Sequence, residues 1–245
     1  MLKSLYMGVY SNTEILAAIK DNLIVCQPFE PAHVAEASLD ITLGYYFYKQ
    51  EPDTFNRVYN PFDVDEVTRY FKGPLEAQTH AEWCERNKQM PFENIPPDHP
   101  IIVLQPGERI LAHTHEFVGI RAAGGACEIK SRSSWGRNGV AVCFDAGWID
   151  PGYINRITLE IYNLNKHESV VLPVGERIAQ IIFHHTGPVE GSYEQGRGGH
   201  SGKYQTSGNL DELIKTWTPE QMLPRAYKDR RIMPTPIKGL VKGLT

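Results

Sequence analysis

The stretch from Ile101 to Phe183 constrains the fold more than any other part of this 245-residue chain. Short apolar or alternating runs are separated there by Pro106-Gly107, Gly124-Gly125 and Asn138-Gly139. Such punctuation favours strands joined by turns. The candidate strands are 101–104, 109–114, 117–120, 126–130, 140–144, 157–162, 169–172 and 177–183. Two segments echo one another, Leu104-Gln-Pro-Gly-Glu-Arg-Ile110 and Leu172-Pro-Val-Gly-Glu-Arg-Ile178, each a strand, a glycine turn and a return strand. Two copies do not make a solenoid; they fit a barrel or sandwich with repeated hairpins.

The flanks are less regular. Residues 12–23 read as a helix with Asn12 or Thr13 as N-cap and Ile15, Leu16, Ile19 and Leu23 on one face. Residues 38–44 alternate at period two and stop at Gly44, and Tyr45 to Tyr48 continue the sheet beyond that turn. Residues 50–100 are acidic, aromatic-rich and end in the proline-rich NIPPDHP, the mark of an insertion on the β scaffold. Within them, 64–71 and 75–87 read as short helices. After Phe183 comes GSYEQGRGGHSGKYQTSGN, whose glycines, tyrosines and basic residues suit a flap that orders over a bound anion. Short helices are expected at 210–217 and 219–222, and then a basic tail that is solvated or contacts a partner. The expected organisation is one β domain over 1–207, with the insertion at 50–100, and a C-terminal extension over 208–245.

The net charge of −4 argues against a general nucleic-acid binder, yet leaves room for a local phosphate pocket built from a few arginines. No apolar run approaches the roughly 20 residues that cross a bilayer, and the first residues lack a signal-peptide core, so no membrane association and a cytoplasmic location are expected. Cys26, Cys84, Cys127 and Cys143 are scattered without a CxxC pair, as reduced buried thiols would be.

The chemistry concentrates between Glu128 and Asn163. An arginine- and serine-rich turn (Lys130, Ser131, Arg132, Ser133, Ser134, Arg137) suits phosphate oxygens. Behind it lie Asp150, in an Ile-Asp-Pro-Gly turn, and Glu160, opposite the aliphatics of an alternating strand. Glu160 is the strongest candidate for general base catalysis on water, although an isolated Glu on a strand more often faces solvent and an Asp in such a turn more often only forms it. Other chemistries fit less well. His80-Ala81-Glu82 matches half of a zinc deaminase pattern, but the P-C-x-x-C half is missing, so no zinc is expected. His113, His115, His184 and His185 read as packing or surface residues. Neither Ser133 nor Ser134 sits in a G-x-S-x-G elbow, and the chain has no Walker A or G-x-G-x-x-G sequence.

RSSWGRNGV, AGWIDPGY and ITLEIYN, in that order and spacing, closely resemble the dCTP deaminases of the trimeric dUTPase superfamily. ASLDITLG, LQPGERILAHT, VGERIAQIIF and GKYQ extend the likeness over roughly residues 12–48 and 101–207. The resemblance implies a mainly β fold, a distorted antiparallel β-barrel or jelly-roll of the dUTPase-like kind. It also implies a homotrimer with active sites between subunits and zinc-independent deamination of dCTP to dUTP and ammonia. By position, Glu160 matches the general base. Ser133, Arg137 and the carbonyl of Ala146 match groups that hold the water and steady the tetrahedral intermediate. Arg132, Ser133 and Ser134 match triphosphate binders, Asp150 a sugar contact and Thr158 to Glu160 the base edge. Tyr193 and Lys203 match residues that close over the nucleotide, with Mg2+ carried on the phosphates. The A-G-x-I-D form of residues 146–150 and the G-x-x-I-x-Q form of 175–180 resemble members that also cleave dUTP to dUMP and pyrophosphate. Gln180 joins the candidate site for that reason, and the bifunctional reading is favoured.

Two positions depart from the family. Asp145 stands where Thr is usual, and Ser207 where a Gln follows the K-Y pair. With the insertion, they keep open a shifted substrate, such as a monophosphate or modified cytidine deoxynucleotide. Two other readings are a dUTP diphosphatase without deaminase activity, which Glu160 in L-E-I-Y argues against, and a non-catalytic nucleotide-binding regulator, which intact Glu160, Arg137 and Asp150 argue against.

Overall fold

The chain forms antiparallel sheets edged by short helices; the computed structural model describes residues 8–50, 58–191, 193 and 202–228. In chain order it runs α1 (Asn12–Lys20), β1 (Ile24–Gln27), β2 (Leu39–Thr42), β3 (Tyr46–Gln50), α2 (Val64–Tyr70), β4 (Phe71–Glu76), β5 (Gln78–Thr79), α3 (His80–Asn87), β6 (Pro100–Leu104) and β7 (Arg109–Ile120). Then follow β8 (Ala126–Ser131), α4 (Ser133–Arg137), β9 (Val140–Val142), β10 (Trp148–Ile149), β11 (Ile154–Asn163), β12 (Val170–Pro173), β13 (Arg177–His184) and α5 (Leu210–Thr216). Two short 3-10 turns, Pro219–Met222 and Ala226–Lys228, close the described chain.

Three sheets result. The largest has the order β4-β3-β7-β11-β9, with β1 also paired to β7; the others are β10-β8-β13-β2 and β12-β6-β5. The mainly β, antiparallel architecture expected from the sequence is therefore present. Its core follows from alternation: Ile157, Leu159 and Ile161 on β11 turn inward against Leu39, Ile41 and Ile181, while Thr158, Glu160 and Tyr162 fall on the opposite face.

Several boundaries differ from the sequence reading. Ser11, rather than Asn12 or Thr13, caps α1, because its side chain and that of Glu14 close a reciprocal capping box. Polar His115 and Glu116 gave the appearance of a break, yet β7 is one continuous strand. The buried Glu116 carboxylate accepts from the Thr42 N–H (3.0 Å) and hydroxyl (2.7 Å), so its polarity is satisfied inside the fold. Beside it the Thr114 hydroxyl donates to the Glu116 carbonyl and accepts from the Ile157 N–H, where the register of β11 shifts. Residues 71–79 are strands, since Gly73-Pro74 cannot continue a helix and β3 and β6 offer edges to pair with.

A second apolar cluster covers the outer face of the large sheet. Val67 and Phe71, between β3 and β5, and Met222, after α5, meet Tyr48 and Leu111 there. Leu213 of α5 packs with Val25, Phe117 and Ile154. The expected flap is described at Gly191, at Tyr193 and from Gly202 onward; its residues 192 and 194–201, and the tail beyond Lys228, lie outside the described residues.

Candidate active site

Glu160 faces a cavity of about 290 Å³. The antiparallel register sets its neighbours: Glu160 opposes Leu111, Thr158 opposes His113 and Tyr162 opposes Arg109. The floor is therefore Arg109 and Leu111 of β7 with Thr158 and Glu160 of β11. One wall is the turn bearing Ala146, Trp148 and Asp150; the other is Tyr153, Tyr193, Tyr204, Met222 and Pro224.

The Glu160 Oε2 atom is buried and has no hydrogen-bond partner among the described residues. Burial pushes its carboxyl above the usual carboxylate range, while its own backbone amide, Arg109 and the Cys143 thiol pull the other way. The Cys143 thiol is in turn held protonated by burial and by the adjacent Glu160. Cys143 adopts a left-handed conformation (φ 57°), and its N–H donates to the Glu160 carbonyl at 3.0 Å. This fastens the start of the 143–147 turn to β11 and brings Ala146 to the cavity.

Asp150 lies at the cavity's exposed edge, where the Trp148 indole N–H donates to its carboxylate (3.2 Å). Tyr193 packs edge-on against Tyr153 at 4.8 Å, and its N–H donates to the Pro151 carbonyl. Gly202 is required beside it, since a Cβ at that position would collide with the Tyr193 ring. The 202–225 segment is held over the cavity by the Ile154 N–H to Gln205 and Asn155 to the Tyr204 carbonyl, and its two ends are joined by Arg225 donating to the Lys203 carbonyl. The Lys203 ammonium lies over the Tyr204 ring at 5.8 Å. Ser207 turns away to donate to Glu212 (2.6 Å) and to accept from the Asn209 N–H at the start of α5.

Glu160, Thr158, Ala146, Asp150 and Tyr193 are thus brought together within one chain. Arg132, Ser133, Ser134, Arg137 and Gln180 are not among the residues lining that cavity. Gln180 lies on β13, inside the β10-β8-β13-β2 sheet, and Arg132 and α4 follow directly on β8 of the same sheet. Buried Asp40 there takes ion pairs from Arg132 (3.1 Å) and Arg177 (3.2 Å), and the Trp135 indole donates to the Arg177 carbonyl. Gln180 pairs in register with Asp40 and Lys130. Ser133, Ser134 and Arg137 are exposed on α4. Asp145 is exposed as well and does not line the cavity.

Sequence reasoning missed Arg109, Tyr153, Tyr204, Met222 and Pro224. Tyr204 had a signal, as part of the GKYQ segment. Arg109 becomes visible only once the β7–β11 register is known.

Three of the histidines pack within the fold. His80 accepts from the Phe92 N–H and contacts the Ile95 carbonyl, and Glu82 caps α3 with Thr79. Burial takes His113 down to about 4, and its neutral ring accepts from the Tyr46 N–H. His185 stacks on Tyr10 at 3.8 Å.

With this geometry in place, a model of the dCTP deaminase-like family matches residues 9–186. A curated relative from Methanopyrus kandleri, named dCTP deaminase, dUMP-forming, is 31% identical over 206 residues, which is 82% of this chain and 94% of that protein. One of the same name from Tropheryma whipplei is 34% identical over 173 residues, 71% of this chain and 76% of the relative. Among solved structures, a 2'-deoxycytidine 5'-triphosphate deaminase from Agrobacterium tumefaciens aligns with a TM-score of 0.49 and 19% identity, covering 72% of this chain and 48% of that one.

Proposed function

The chain belongs to the dCTP deaminase-like family, and from that premise we propose that it converts dCTP and water to dUTP and ammonia, then hydrolyses dUTP to dUMP and pyrophosphate. The observation that carries this reading is the cavity itself. It joins a desolvated carboxylate with an unsatisfied oxygen to a second carboxylate on an exposed edge. The relatives' name, dUMP-forming, favours the two-step reaction.

Glu160 takes a proton from a water that adds to C4 of the cytosine and passes it to N3; it then carries the proton of the resulting C4 hydroxyl to the amine, which leaves as ammonia while the C4 carbonyl forms. The carbonyl of Ala146 accepts from that water, and Thr158 meets the base edge. Asp150 receives the sugar hydroxyl and in the second step activates water for attack on the phosphate chain. Tyr193 and Lys203 close over the nucleotide, and Gln180 is a further contact; Ser207, which hydrogen-bonds Glu212 of α5, acts on closure through the 202–209 segment.

Arg109 is the one Arg or Lys lining the cavity among the described residues, too little for a triphosphate. Ser133, Ser134 and Arg137 are exposed elsewhere on the chain, next to half-buried Arg132, an arrangement that supports a homotrimer in which one subunit's turn serves its neighbour's cavity. Mg2+ would ride on the phosphate oxygens; the hydroxyls of Ser133 and Ser134 and the Asp150 carboxylate are hard oxygen donors compatible with such a complex. It would neutralise charge on the phosphates.

Incubation with dCTP, Mg2+ and an assay for ammonia, dUMP and pyrophosphate tests the whole reading. Ammonia without dUMP would limit the enzyme to the first step, and dUMP from dUTP alone would remove the deamination. Asp150→Asn is expected to lower pyrophosphate release at least about a hundredfold with ammonia release less affected. Unchanged pyrophosphate release would refute the second role of Asp150.

A further inference from the structure

Arg109 occupies a place that the proposed chemistry leaves unused. It opposes Tyr162 in the β7–β11 ladder, so it is the diagonal cross-strand neighbour of Glu160 on the same sheet face, and both line the same cavity. Its guanidinium lies over the Tyr162 ring at 5.3 Å. Its Nε atom, like Glu160 Oε2, is buried without a hydrogen-bond partner among the described residues. Two unsatisfied groups of opposite charge thus share one partly desolvated space, where their attraction is far less screened than in water.

We propose that Arg109 is a positioning residue for the deamination: its cation holds the Glu160 carboxylate in the charged, proton-accepting form. This rests on the reading of Glu160 as the base. The other groups facing Glu160 do not supply that charge. From the turn after β9 comes the protonated Cys143 thiol; from the 148–152 turn comes Asp150, another carboxylate, which opposes ionisation. The phenols of Tyr153, Tyr193 and Tyr204 complete the wall. Burial pushes Tyr153 and Tyr193 upward, so they remain neutral. On its other side Arg109 is felt by Tyr59, which also stands near Tyr70 and Glu66 of the insertion. Lys49 is engaged with Glu108 at 2.7 Å.

The test is the pH profile of kcat/KM for dCTP with Arg109→Met and Arg109→Lys. In Arg109→Met the acidic limb should move up by about one pH unit, a loss of about tenfold below the limb that nearly disappears well above it. Arg109→Lys should restore the limb. An equal loss at every pH, or a raised KM with an unmoved limb, overturns the proposal in favour of a structural or substrate-contact role.

A second readout needs no turnover: melting temperatures of the unliganded wild type, Arg109→Met, Glu160→Gln and the double variant. Arg109→Met should lower Tm at pH 8 when Glu160 is present and not when it is Gln, with the difference gone near pH 4. Additive effects at pH 8 overturn the pairing. If the wild type does not release ammonia from dCTP, the functional reading fails, while this cycle still decides whether Arg109 and Glu160 are coupled.

Discussion

Glu160→Gln is expected to cut ammonia release from dCTP by about three orders of magnitude, within the range general acid–base catalysis supplies. The amide keeps the shape of the side chain but accepts no proton at Oε2, so nucleotide binding should remain measurable by calorimetry. Turnover within tenfold of wild type would remove Glu160 from the base role. The same substitution makes a second, independent prediction. Burial raises the folded carboxyl of Glu160 above its unfolded value. The stability linked to its protonated form is therefore fully present below the ordinary carboxylate range and is lost as pH rises through the folded value. A Gln has no such loss. The variant should match the wild type in Tm near pH 4 and exceed it once pH has risen through the folded value. A Tm difference that is constant with pH would mean that Glu160 is not desolvated in solution.

The face Glu160 occupies was legible in the sequence, because alternation over Ile157 to Ile161 fixes which side chains share the core. Whether the other face was solvent or cavity was not legible. That depends on Tyr204, Met222 and Pro224, which return from far along the chain to cover it. The strands from Ile101 to Phe183 were readable from their glycine and proline boundaries. The continuity of β7 was not, since the partner that satisfies Glu116 is Thr42, 74 residues away. Arg109 shows the same limit: a single arginine at a strand start carries no signal until pairing puts it beside a carboxylate. The tail was legible as helices at 210–217 and 219–222. That Met222 would join Val67 and Phe71 of the insertion on one sheet face was not, since non-local apolar contacts leave no local pattern.

The arginine-serine turn leads to the other large effect. In one chain, Arg137 is exposed on α4, outside the residues that line the Glu160 cavity. Arg132 is tied back to Asp40 on the β10-β8-β13-β2 sheet. A triphosphate whose base rests on Glu160 would therefore draw its cations from a neighbouring subunit. Arg137→Ala alone should cost about a hundredfold or more, the usual effect of losing one donor to a transition state. Mixing it with Glu160→Gln should then restore activity. In the proposed cyclic trimer each site would take Glu160 from one chain and Arg137 from the next. After equal, random exchange, about one site in four combines an intact Glu160 with an intact Arg137. The mixed assembly, reassembled from separately purified and differently tagged variants, should recover about a quarter of wild-type ammonia release. Light scattering must show a trimer and tag capture must show mixed particles. Mixed trimers that remain as inactive as either parent would place both residues in a site made by a single chain.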